Sequence, residues 1–160
     1  MKAMFRYNWA VREDWYRWCE DVPEKELLRV RTGGIGGILH TLFHIADVEW
    51  SWIRLMQGKP DFQESFDDYN SLEKVRALDA AFRTEVVEFV EAWEEGMEQR
   101  PLYVPQPDGS VRVYAWGEVM CHAIAHEIHH IGQLSVWARE VGKKPVSANA
   151  IGRGLVVPMR

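Results

Sequence analysis

The sequence predicts an all-α fold: a four-helix bundle, with a short ragged hairpin before the last helix. Three observations lead there. Apolar residues recur at three- and four-residue intervals along four long stretches, the spacing that lines one face of a helix. The period turns strand-like only once, in two short runs around Asp108-Gly109. Glycine and proline cluster between these stretches rather than inside them.

The first stretch, from Met4 to about Asp21, repeats Phe5, Trp9, Trp15 or Tyr16 and Cys19 at helical spacing, with Arg12, Glu13 and Asp14 between them. Pro23-Glu-Lys-Glu can start one short turn. Thr32-Gly-Gly-Ile-Gly-Gly37 then breaks the pattern. It lacks the Lys-Ser/Thr of a phosphate loop and the strand before a dinucleotide site, so it reads as a flexible approach to the next helix. That helix is expected over Ile35 to Met56, with Ile38 to Ala46 apolar nearly all round and therefore buried. Residues 57–70 read as a long acidic connection. Asn70-Ser-Leu-Glu73 resembles a capped start, and a third helix is expected from there to about Met97, carrying Val75, Leu78, Phe82, Val86, Phe89 and Trp93. Leu102–Val104 and Val111–Tyr114 form the hairpin signal, and prolines 101, 105 and 107 predict poor pairing. The fourth helix, from about Trp116 to Val141, stops at Gly142. The tail from Lys143 is irregular.

The chain has 160 residues, 47% hydrophobic and 27% charged, which fits one domain spanning 1–160 with a sizeable core. A net charge of −5 with no basic run argues against nucleic acid as the main partner. No apolar run is long enough to span a bilayer. Two cysteines, Cys19 and Cys121, make no disulfide framework, and Met1-Lys-Ala-Met-Phe-Arg lacks the apolar core of a signal peptide. A cytoplasmic location is expected. Eight tryptophans are many for one small bundle, and aromatics are enriched at interface cores, so a homodimer is expected through Trp18, Trp50 or Trp52.

Four of the six histidines fall between His122 and His130. A helix turns about 100° per residue, so steps of four drift only about 40°, and His122, His126 and His130 form a column. Val119, Ala123, Leu134 and Trp137 lie on or near the same face, so the column points inward. A lone inward histidine is usually a hydrogen-bonded core residue. Several together point to a metal, which satisfies several ring nitrogens at once. Three ligands would leave a position open for water or substrate. The column offers His122 with His126, or His126 with His130. His40 or His44, again four apart, offers the third. Imidazoles suit zinc, nickel, copper or iron(II).

His126-Glu-Ile-His-His130-Ile-Gly-Gln133 resembles the H-x-x-x-H with following G-Q of the DinB-like (DinB/YfiT) family, bacterial bundle proteins regarded as metal-dependent. Leu42-Phe-His44-Ile-Ala-Asp-Val-Glu-Trp50 looks like that family's second-helix ligand segment, and Tyr7-Asn8-Trp9 and Trp116 also fit. The resemblance covers nearly the whole chain. It implies helices ordered up-down-down-up, frequent dimers, and His44, His126 and His130 as metal ligands. His129 then stands beside the site. Ile131 replaces a common arginine, and any role of that arginine is lost.

The expected function is that of a metal-dependent enzyme: a divalent transition metal, zinc or nickel first and iron or manganese next, activates water or a low-molecular-weight thiol on a small-molecule substrate. That makes it a hydrolase or thiol transferase, with Glu127 as a candidate base. The alternative is a non-catalytic metal-binding protein of the bacterial stress response. A third reading takes His126-Glu127-x-x-His130 as a zinc-peptidase motif. It is weak, since no suitable third ligand follows and the ragged hairpin before it offers no convincing strand to bind a peptide.

Overall fold

The computed structural model describes residues 1–61 and 65–156. Residues 62–64 of the acidic connection and 157–160 of the tail lie outside the described residues. The chain is mostly helical: α1 (Lys2–Glu20), a single turn α2 (Glu24–Leu27), α3 (Ile38–Met56), α4 (Leu72–Glu91) and α5 (Trp116–Glu140). Two short strands, β1 (Pro101–Pro105) and β2 (Val111–Ala115), precede α5.

Several boundaries shift for local reasons. α3 starts at Ile38, not Ile35, because Gly33, Gly34 and Gly36 adopt φ of +87°, +55° and +101°, a left-handed backbone that cannot join a helix. α4 is capped by Ser71 rather than Asn70: the Ser71 hydroxyl accepts from the Lys74 N–H at 3.3 Å. α4 ends at Glu91, and Gly96 at φ +89° leads into a separate 3₁₀ turn, Met97–Gln99.

The hairpin is regular rather than ragged, with five residue pairs in register from Pro101 opposite Ala115 to Pro105 opposite Val111. Gln106 N–H donates to Ser110 O and Trp116 N–H to Arg100 O, so the hydrogen-bonded pairs fall at even positions of β1. The nitrogens of Pro101 and Pro105 face outward, and neither proline removes a ladder bond. Leu102 is buried against the bundle, and Tyr103 and Val113 face solvent.

α3 packs mainly on α4 and α5, and α1 on the same two helices, which closes a ring of four. Named contacts fix the alignment. Arg12 meets Asp79 and Glu127, while Lys2 reaches Glu91. Trp50 stacks on Phe82 and Phe43 packs against Tyr69. His44 meets His126 and Trp52 meets His122.

The core is split. One apolar cluster joins Val11, Trp15, Leu39, Leu42, Val75, Leu134 and Trp137. The other joins Phe5, Trp50, Ile53, Val86, Phe89, Val119 and Met120. Each buried Leu, Val or Ile stabilises by roughly 1.5–3 kcal/mol. Between the clusters lies a polar layer with one residue from each long helix: Arg12, Glu49, Asp79 and Glu127, all buried. Arg12 donates from Nη1 to Asp79 (2.7 Å), from Nη2 to Glu49 (2.9 Å) and to Glu127 (2.6 Å), and from Nε to Glu127 (2.9 Å). One guanidinium thus ties all four helices at mid-height. Such a layer adds little net stability but is costly to break.

Trp15, Trp18, Trp50 and Trp137 are buried, and Trp9, Trp52, Trp93 and Trp116 are half-buried. The bundle therefore covers its tryptophans to a large extent, and the aromatic surplus behind the expected dimer is smaller than the sequence implied.

Candidate metal centre

A second polar cluster lies between α3 and α5. His44 comes from the middle of α3. His126 and His130, four apart, share one face of α5. The His44 and His126 Nε2 atoms lie 3.0 Å apart, and those of His126 and His130 lie 3.1 Å apart. One ring nitrogen from each of the three lies within 4.8 Å of the others, a grouping that can hold a metal ion. His130 is buried, and His44 and His126 are half-buried.

The chemistry of this donor set fits a cation. An imidazole nitrogen has one in-plane position, filled by a proton or by a lone pair. The Nε2 of His126 faces two other Nε2 atoms and can make a directed hydrogen bond with one of them. His130 narrows the choice further, because its Nδ1–H donates to Gln133 Oε1 at 2.7 Å, leaving Nε2 with a lone pair. Two nitrogens bound about 2.1 Å from one ion stand about 3.0–3.4 Å apart for angles from 90° to tetrahedral, matching both contacts.

The rings are also held neutral. Burial, reinforced by the neighbouring imidazoles, lowers the pKa of His126 to about 3 and that of His44 to about 4. Burial lowers that of His130 as well, against the opposing effect of Gln133. At pH 7 all three present lone pairs.

The DinB family's sequence model matches residues 1–153. The chain belongs to the DinB family. It is also similar to "Uncharacterized protein YizA" of Bacillus subtilis (strain 168), 49% identical over 155 residues, spanning 97% of this chain and 96% of that protein.

Within this DinB chain the remaining histidines stand outside the cluster. His40 stacks on Phe66, ring centres 4.2 Å apart. His122 is exposed, its ring 5.8 Å from Trp52 and 5.7 Å from His126. His129 is exposed and accepts from Gln133 Nε2 at 2.9 Å. Glu127 has another occupation than the one its motif suggests. Both its oxygens accept from Arg12 in the bundle interior, so the structure does not bring its carboxylate to the imidazoles. Burial raises its pKa against the pull of Arg12, with Glu49 adding to the rise. Asp79 is buried too, but Arg12 and Arg83 together outweigh that and hold its pKa low.

Sequence reasoning missed Gln133 as the residue that orients His130, and missed the whole Arg12 layer. A signal for the layer existed: Arg12 is spaced seven from Phe5 along the apolar stripe of α1, a position where charge is unexpected. In the sequence Gly34 shows only as part of a flexible approach to α3. It packs on Gln133, and a Cβ there would lie 2.5 Å from Oε1 and displace that side chain, on top of the strain of its φ of +55°.

Proposed function

We propose that His44, His126 and His130 ligate one divalent transition metal, zinc or nickel first, with iron and manganese as further candidates, and that this DinB protein is a metal-dependent enzyme. The observation that carries the reading is the convergence of three neutral Nε2 atoms that hydrogen bonds among themselves cannot satisfy. Among the described residues no fourth histidine, cysteine or carboxylate joins the group, which supports an open position for water or a substrate thiol. A bound divalent ion would act as a Lewis acid that acidifies such a ligand. The chain's own residues hold the lone pairs in place: Gln133 fixes the His130 tautomer, and the Arg12 layer fixes α5 against α1, α3 and α4.

The reaction class is hydrolysis or thiol transfer on a small molecule. With Glu127 engaged by Arg12, the zinc-peptidase reading lacks its base. A non-catalytic metal-binding role in stress response is the second reading; it would hold if His40 or His122 closed the site as a fourth ligand. The residue contacts between helices support an up-down-down-up order, with α1 and α5 parallel and α3 and α4 opposed to them. We further propose a homodimer working in the cytoplasm; no described helix is long and apolar enough to cross a membrane. The test is elemental analysis of purified protein followed by hydrolase and thiol-transfer assays. One metal per chain with turnover supports the enzyme, metal without turnover supports the second reading, and no metal after titration removes both.

A further inference from the structure

The seam that holds the three histidines runs between the Gly34 loop at one end and a larger cavity beyond His122 at the other. At the first end, His40 stacks on Phe66, and the loop at Gly34 packs on Gln133 and Trp137. On the other side, both helices continue the same stripes: α3 from His44 through Val48 to Trp52, and α5 from His130 through His126 and His122 to Glu118 and Val119. There the stripes part and leave a cavity of about 310 Å³, lined by Trp52, Tyr114, Glu118, Val119 and His122. It begins one helical turn from His126, whose ring lies 5.7 Å from that of His122. Trp52 meets both Tyr114 and His122 edge-on, so three aromatic rings form its walls.

We infer that this cavity binds the uncharged aromatic part of a small substrate whose donor atom reaches the three-histidine site. The volume lies at the low end for small-molecule pockets, enough for a substituted single ring. Aromatic walls favour another ring by edge-to-face packing. No lysine or arginine lines the cavity to receive an anion. Its one charged residue, Glu118, is exposed and already accepts from the Ala115 N–H at 2.9 Å, where it caps α5. His122 offers a ring nitrogen to a hydroxyl or heteroatom on the ligand.

The inference rests on the metal reading for the donor atom but not for the aromatic site, so the test has two arms. In metal-free protein, the indole N–H resonance of Trp52, assigned with Trp52→Phe, is followed with p-cresol, 4-hydroxybenzoate and tyramine. Saturable shifts with p-cresol, at least ten-fold tighter than with the anion, are expected, and they should vanish in Val119→Trp, which fills the cavity. Tyr114→Ser, at a half-buried position, is the second variant and should weaken binding several-fold. In cobalt-loaded protein, the sulfur-to-cobalt absorption band should titrate at least ten-fold tighter with 4-methylbenzenethiol than with 4-mercaptobenzoate, and both variants should erase that preference. No response of Trp52 to p-cresol, equal binding of the anion, or ten-fold tighter binding of tyramine overturns the inference. Failure of cobalt to bind, with p-cresol still shifting Trp52, overturns the metal reading and leaves the aromatic site standing.

Discussion

Arg12→Met tests the polar layer most directly. Methionine keeps much of the length of arginine and removes the guanidinium that four hydrogen bonds converge on. Asp79 keeps Arg83, and Glu49 keeps the indole N–H of Trp9. Glu127 is left buried with both oxygens stripped of their donor. Its least costly response is to take up a proton, and protonating a carboxyl of ordinary pKa near 4.3 costs about 3.7 kcal/mol at pH 7. That falls within the roughly 3–5 kcal/mol typical of breaking a buried ion pair. At about 2–4 °C per kcal/mol for a chain of this size, the melting temperature should fall by about 10 °C. The sign with pH follows. A carboxyl whose folded pKa is raised loses stability as pH rises above its unfolded value, so the deficit should shrink as pH falls. Between pH 7 and pH 5.5 up to about 2 kcal/mol of the difference should return, less to the extent that the raised pKa of Glu127 lets wild type take up the same proton. The assay is urea unfolding of both metal-loaded proteins across that range. A deficit below about 1 kcal/mol, or one that does not change with pH, would refute the assignment of Glu127 as a buried carboxylate held by Arg12.

Other expectations follow from the same geometry. His44→Ala, His126→Ala and His130→Ala should each lower metal content at least ten-fold by elemental analysis, while His129→Ala keeps it. Gln133→Leu leaves the His130 Nδ1–H without an acceptor and should weaken metal affinity by about 10–100-fold in competition with a chelator, with Gln133→Glu restoring most of it. Metal-free protein should lose stability with acid: His44 and His126 titrate near 4 and 3 when folded, so their stabilising effect is complete above the unfolded value of about 6.5 and is lost as pH falls below it. Thermal melts from pH 8 to pH 4 check this, and metal-loaded protein should hold its melting temperature until protons displace the ion. Sedimentation at micromolar concentration tests the homodimer, and a monomer there removes it.

The sequence alone determined the four long helices and the pairing of His126 with His130, because both are local. Helical spacing of Val75, Leu78, Phe82, Val86 and Phe89 is enough to form α4, and four-residue spacing is enough to put His126 and His130 on one face. The choice of His44 over His40 came from a resemblance of motifs, since spacing on α3 serves either. The tertiary structure brings His44 to His126 across 82 residues, and it stacks His40 on Phe66 instead. It also decided what Glu127 does. One step along a helix turns a side chain by about 100°, enough to carry it from the histidine seam into the interior. Only the packing of four helices, each with one charged residue at the same height, shows that Arg12 is waiting there. The regular hairpin was hidden for a related reason: whether a proline breaks a ladder depends on which side its nitrogen faces, and that is set by the partner strand.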